Sequence, residues 1–192
     1  NSGGESGASQ RHKHLQVVPL PLDGNGNSSS GNGGASDWAP FEGVALAATA
    51  AAGAAPLGVV SLKGGGGGGG GGDDNSNDDD GNGLPFRAFA ARMPPRGGPS
   101  AEALAKCVAE LVEAACGGRG KEEGEEEQQP SFNLLLTRRV AVAVPRRRGR
   151  FGPCSPNSVA FAGSMLARSE EELAFVREQG PMRILRECGV GW

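Results

Sequence analysis

A chain of 192 residues is long enough for one domain, yet 34 glycines, an aromatic content of 5% and the absence of Tyr leave too few large side chains for an uninterrupted core. A net charge of -3 gives no electrostatic case for nucleic acid or an anionic membrane, so neither is expected as a partner. Cys107, Cys116, Cys154 and Cys188 lie far apart with no Cys-x-x-Cys pair, which argues against a zinc ribbon or a compact disulfide framework and points to thiols in a reducing, cytoplasmic compartment.

No secretory signal opens the chain, and Asn1 in place of Met reads as an internal residue of a longer protein. The first predicted element is a strand over 15–22, ended by Pro19 and Pro21. Low-complexity tracts follow at 24–36 (Gly, Asn, Ser), 64–83 (Gly, then acidic) and 117–129 (Gly, then Glu), each too poor in apolar side chains to offset ordering entropy. Between the first two, residues 44–60 are mostly Ala and Gly interrupted by Pro56, which falls short of a membrane-spanning helix.

Ser100 is the N-cap of a predicted helix whose stripe is Leu104, Val108, Leu111, Val112 and Ala115, and Gly117 stops it. Residues 132–136 and 140–144, separated by Thr137-Arg138-Arg139 and closed by Pro145, predict an antiparallel hairpin. A third strand is predicted over 157–167. Ser169 with Glu172 forms a capping box for a helix closed by Gly180, and Pro181 opens a last short helix to Cys188, with Gly189 after it. The class is α+β with antiparallel strands.

Both histidines of the chain fall in "RHKHLQ", where strand alternation projects His12, His14 and Gln16 to one side. Upstream, the glycine-containing turn with Ser6 and Ser9 offers hydroxyls and backbone N–H groups to an anion. Such a row suits phosphate chemistry: a neutral imidazole attacks phosphorus, a phosphoramidate forms, and a second nucleophile displaces the histidine while an amide holds a nonbridging oxygen. Two histidines at this spacing also match metal ligands, although zinc wants three or four and no others are in evidence, or an ordinary surface pair. The local pattern leaves the three open, and no metal site is assigned.

The order Asn1-x-Gly3, Gly7-x-Ser9, His12-x-His14-x-Gln16 resembles the active-site segment of the nucleotidyltransferase branch of the histidine-triad superfamily, to which galactose-1-phosphate uridylyltransferases belong. "HKHLQVVPLP" is more similar to the diadenosine tetraphosphate phosphorylase, or ATP adenylyltransferase, family. So are "LPFRAFAARMP" from Leu84, "FNLLLTRRVAVAVPR" from Phe132, "NSVAFAGSM" from Asn157 and "EEELAFVREQGPMRIL" from Glu170, in the family's order. The resemblance implies an antiparallel sheet with packed helices, incomplete and interrupted by insertions. It divides the chain into an active-site strand (1–22), an insertion with an Ala-rich segment (23–83), a helix-containing continuation (84–116), a Gly/Glu linker (117–130) and the family's C-terminal region (131–192).

The implied reaction converts diadenosine tetraphosphate and phosphate to ATP and ADP through an adenylyl-histidine intermediate. His14 would be the nucleophile, Gln16 the ligand of the α-phosphate oxygen and His12 the residue that orients the site, with Asn1, Ser6 and Ser9 along the phosphates. A divalent cation such as Mg would accompany the polyphosphate, held mainly by substrate oxygens, and no protein-held cofactor is expected. Alternatives are a uridylyl or guanylyl transferase of the same branch, or a non-catalytic truncated relative.

Other features read as structure. "PRRRGR" (Arg146, Arg147, Arg148, Arg150) could touch a polyphosphate or mark nuclear import, but a solvated loop is favoured. Lys63 before the glycines lacks the Ser or Thr of a phosphate loop, and the calcium-like Asp78, Asp80, Asn82 pattern meets Phe89 where a bidentate Glu is required. Met165, Met182, Phe161 and Phe175 are assigned to the core, and Trp38 to anchoring a loop.

Overall fold

The computed structural model describes residues 40–63, 84–95, 97–117 and 131–192. In chain order the elements are α1 (Pro40–Ala51), β1 (Val59–Ser61), β2 (Phe89–Arg92), α2 (Ala101–Cys116), β3 (Phe132–Leu136), β4 (Val140–Pro145), α3 (Ser158–Phe161), α4 (Glu170–Gln179) and α5 (Pro181–Cys188). The strands form one antiparallel sheet in the order β1-β2-β4-β3. The α+β class and the hairpin of β3 and β4 agree with the sequence reading. No helix among the described residues is long and apolar enough to cross a membrane.

Every residue of β4 is buried, and its alternation sorts the two faces of the sheet. Val140, Val142 and Val144 point into a cluster with Phe41, Ala45, Phe86, Phe161, Leu185 and Cys188, so α1, α3 and α5 share one face. Ala141 and Ala143 point the other way, against Cys107, Leu111 and Ala115 of α2. These α2 residues recur every four positions, and small alanines opposite them let the helix settle close to the sheet. Burying Leu111 alone, which is 0% exposed, stabilises this layer by about 2–3 kcal/mol.

The pair α1 and β1 was not assigned any element from sequence, although both overlap the Ala-rich stretch over 44–60. Phe41, Ala45 and Thr49 are buried at four-residue intervals, the stripe that seats α1 on the sheet. The link to β1 is a type II turn: Gly58 N–H donates to Ala55 O at 3.0 Å, Pro56 fixes the second position, and Leu57 takes φ 66° at the third. Glycine would suit that third position without strain. Leu57 holds it because its N–H donates to Arg92 O at 2.8 Å while its side chain packs in the α2 layer.

Caps behave as their residue types dictate. Ser100 accepts from Ala103 N–H and Ser169 from Glu172 N–H, each at 3.1 Å. The capping box is displaced by one residue: Glu172 Oε2 accepts from Arg168 N–H at 2.7 Å, one position before the cap itself.

Two assignments are corrected. Residues 157–167, expected as a strand, begin with the single-turn helix α3 and continue as turn and coil, because Asn157 Oδ1 accepts from Val159 and Ala160 N–H at 3.0 and 3.3 Å, and Gly163 turns the chain at φ 108°. Met182, expected in the core, is 49% exposed, since the buried stripe of α5 starts only at Ile184 and runs through Leu185 to Cys188. Phe161 is buried, Met165 packs against its cluster, and Phe175 is half-buried with its ring edge-on to Phe151 at 5.6 Å.

Candidate functional site

His12, His14, Gln16, Asn1, Ser6 and Ser9 lie outside the described residues, as do the strand expected over 15–22 and Trp38. The described residues instead hold a buried polar centre built on Arg146, at the point where β4 gives way to the loop before α3.

Pro145 has no N–H, so the ladder toward β2 loses a donor there. The next residue, Arg146, gives its N–H to Ser131 O at 2.8 Å and folds its side chain back into the protein, where it is 0% exposed. Nη1 donates to Asn133 Oδ1 at 2.6 Å and to Pro156 O at 3.0 Å. Nη2 donates to Arg148 O at 2.9 Å, and Nε to Cys188 O at 3.2 Å. The guanidinium carbon lies 4.7 Å from the centroid of Phe161, whose ring meets Phe86 edge-on at 5.2 Å. Withdrawing a guanidinium from water costs several kcal/mol, which this set of charge-assisted bonds and the π face offset.

The same centre closes α5. Cys188 O also accepts from Arg147 and Arg148 N–H at 3.0 and 3.3 Å, so donors gather at a helix C-terminus where carbonyls lack intrahelical partners. Burial pushes the Cys188 thiol up, while the positive charges of Arg146 and Arg148 pull it partly back. Outside, the Arg147 and Arg148 guanidinium groups lie 3.1 and 3.5 Å from the same Glu187 carboxylate oxygen.

The solvated-loop reading therefore suits Arg147 and Arg150, which are exposed, and half-buried Arg148, but is corrected for Arg146. Full enclosure also removes Arg146 from direct contact with a polyphosphate. Its chemistry is structural: one planar cation ties β3, the loop over 146–156 and the end of α5 together. The available signal was Asn133, the one polar residue in "FNLLL", since an amide inside an apolar strand demands a partner. Among the described residues no group of three or more His, Cys, Asp or Glu comes together to hold a metal ion.

Residues 82–191 match the family described as the ATP adenylyltransferase C-terminal domain, and residues 1–29 match the Ap4A phosphorylase N-terminal domain. No curated protein matches the chain. Among solved structures, that of yeast Ap4A phosphorylase Apa2 in complex with AMP is similar with a TM-score of 0.61 and 24% identity, over 98% of this chain and 54% of that one. Two other structures of the yeast protein cover 56% of this chain with TM-scores of 0.47: one at 25% identity covering 38% of that chain, and one in complex with Ap4A at 24% identity covering 36%. The chain thus spans about half the length of the yeast protein, and the likeness at 24% identity establishes the shared α+β fold. With its C-terminal domain model matched over more than half of the sequence, the chain belongs to the ATP adenylyltransferase family.

Proposed function

We propose that this chain carries the catalytic strand and C-terminal region of a nucleotidyltransferase that splits diadenosine tetraphosphate with phosphate into ATP and ADP. The observation that carries the reading is the match of residues 1–29 to the Ap4A phosphorylase N-terminal domain, because that short stretch contains Asn1, Ser6, Ser9, His12, His14 and Gln16 together. The AMP and Ap4A complexes of the yeast protein fit the same substrate class.

In this mechanism the neutral imidazole of His14 attacks an α-phosphorus of the dinucleotide. A P–N bond forms, the P–O bond to the remaining triphosphate breaks, and ATP leaves. Phosphate then attacks the adenylyl group, the P–N bond breaks, and ADP leaves with the histidine restored. Gln16 donates its amide to the nonbridging oxygen as charge builds there, and His12 orients the nucleophile. Asn1, Ser6 and Ser9 line the phosphate chain. A divalent cation such as Mg would be held by substrate phosphate oxygens and supply charge neutralisation, and no step is assigned to it.

The test is trapping. The protein with its complete chain, given adenine-labelled diadenosine tetraphosphate without acceptor phosphate, is expected to hold label on His14, and His14→Ala to hold none. Label persisting on His14→Ala would end the assignment. UDP-hexose and GDP-hexose donors in the same assay test the uridylyl and guanylyl alternatives.

A further inference from the structure

Arg147 and Arg148 are neighbours in the chain, and strand alternation would send their side chains to opposite sides. Instead both guanidinium groups reach Glu187 Oε2, at 3.1 and 3.5 Å. The backbone supplies the reason. Arg147 and Arg148 aim their N–H groups at the same acceptor, Cys188 O, at 3.0 and 3.3 Å, and successive donors turned toward one point bend the chain into a concave turn.

Anchors on either side hold that turn in place. Buried Arg146 donates Nη2–H to Arg148 O at 2.9 Å and forms a backbone bridge with Gly189. Ser155 Oγ donates to Gly149 O at 3.1 Å, and Arg147 Nη2 also donates to Glu187 O at 3.3 Å. The arginine pair is thus mounted on the end of α5, and an incoming group meets a backbone that is already ordered.

Charge and geometry then name the ligand. Two guanidinium groups share one carboxylate, which leaves positive charge in excess, and exposed Arg150 adds to it. The negative end of the α5 dipole would oppose an anion here, but Cys188 O is occupied by three donors: Arg146 Nε and the amides of Arg147 and Arg148. Both cations converge on a single carboxylate oxygen, whereas a phosphate group offers a separate oxygen to each guanidinium fork. With side chains 51% and 43% exposed, these ion pairs contribute little to stability, so the carboxylate can be exchanged at small cost.

We propose that Arg147 and Arg148 form a phosphate-binding site at the end of α5, in which the Glu187 carboxylate is an internal stand-in that a phosphate group displaces. The recognised chemistry is the phosphate group itself, carried by a free polyphosphate or by a nucleotide. The site goes beyond the proposed reaction and uses none of the residues assigned to it.

Pyrophosphate titrated into the ¹⁵N-labelled full chain tests the proposal by NMR. The backbone amides and Nε–H signals of Arg147 and Arg148 are expected to shift and saturate together. Glu187→Gln, which removes the stand-in, should tighten binding by about threefold or more, a gain that misfolding cannot produce. Arg147→Ala with Arg148→Ala should weaken it by about tenfold or more, while Arg138→Ala, which removes an equal charge at the hairpin turn, stays within about twofold of native. ADP in a parallel titration separates the two sources: binding no tighter than that of pyrophosphate marks a site for the free anion, and tighter binding a site for a nucleotide. The proposal is overturned if the Arg147 and Arg148 signals do not move, if Glu187→Gln or the double alanine variant binds as the native chain does, or if acetate at matched ionic strength moves the same signals as far. These signals are read at the site without turnover, so their failure and that of the trapping experiment are distinguishable.

Discussion

Arg146 Nη1 donates to Asn133 Oδ1 at 2.6 Å, with both residues 0% exposed. The contact joins the end of β4 to the edge strand β3 and anchors a guanidinium that also reaches Pro156, Arg148 and Cys188. Arg146→Met keeps much of the stem's packing but strips donors from buried acceptors, and the expected loss is about 3–5 kcal/mol in equilibrium urea unfolding. Arg146→Lys keeps the charge but lacks the planar fork, so it should recover less than half. An Arg146→Met midpoint equal to the native one would show that the centre contributes nothing.

Thr137 performs a second joining task. Its hydroxyl accepts from Arg139 and Val140 N–H at 3.1 Å each, shaping the hairpin turn, and donates to Glu42 Oε1 of α1 at 2.7 Å. Thr137→Val should cost about 1–3 kcal/mol because the turn amides and a largely enclosed carboxylate lose a partner. Thr137→Ser should restore most of it. Thermal melts of the two variants check the order; equal melting temperatures would refute the role of the hydroxyl.

Gly152 shows where a missing side chain matters. At φ 57° it lies in the left-handed region, and a Cβ would come within 2.5 Å of the Phe175 ring. Gly152→Ala should therefore combine a backbone cost of about 1–2 kcal/mol with about 1–3 kcal/mol of overpacking. Gly97, at φ 74° with nothing within 4 Å, supplies the comparison: Gly97→Ala should show the backbone part alone. Urea midpoints that are shifted equally by the two substitutions would contradict the close approach.

The thiols give the fold an alkaline sensitivity. Burial raises Cys107, Cys154 and Cys188, with Glu110 adding to the first and Glu172 to the second, and Arg168 opposing at Cys154. Unfolded thiols release protons near pH 8.5, while the folded ones hold them to higher pH. The folded state then binds more protons, so stability is full below about pH 8 and falls as pH rises above it, by at most ~1.4 kcal/mol per pH unit for each thiol. Urea midpoints between pH 7 and 10 should decline, and Cys107→Ala, Cys154→Ala and Cys188→Ala combined should flatten the slope whatever they do to its starting value. A slope unchanged by all three would assign the sensitivity elsewhere.

What was legible followed the range of the signals. Ser100, Ser169 and Gly180 mark helix ends through bonds made within a few residues, and they were read correctly for that reason. The apolar alternatives around Thr137 fold back on themselves, so the hairpin was also local. Residues 157–167 failed because a short apolar run does not distinguish strand from helix, and the Asn157 cap that decides the matter was passed over. For the proposed site, the pattern of His12, His14 and Gln16 is a sequence observation, and it acts on the functional reading through the family matches.

The sequence alone determined the α+β class, the hairpin, the caps of α2 and α4, and the family-like order of its islands, because each rests on neighbouring residues or on a motif. Only the tertiary structure decided that Arg146 is enclosed, that α1 and β1 complete the sheet, and that Val190 bonds to both Arg87 and Pro145. Those outcomes depend on partners more than 30 positions apart meeting in space: Cys188 for Arg146, Ala91 for Val59 and Val190 for Pro145. Burial of a charge or completion of a ladder is a property of such meetings, and no window of the chain contains both sides of one.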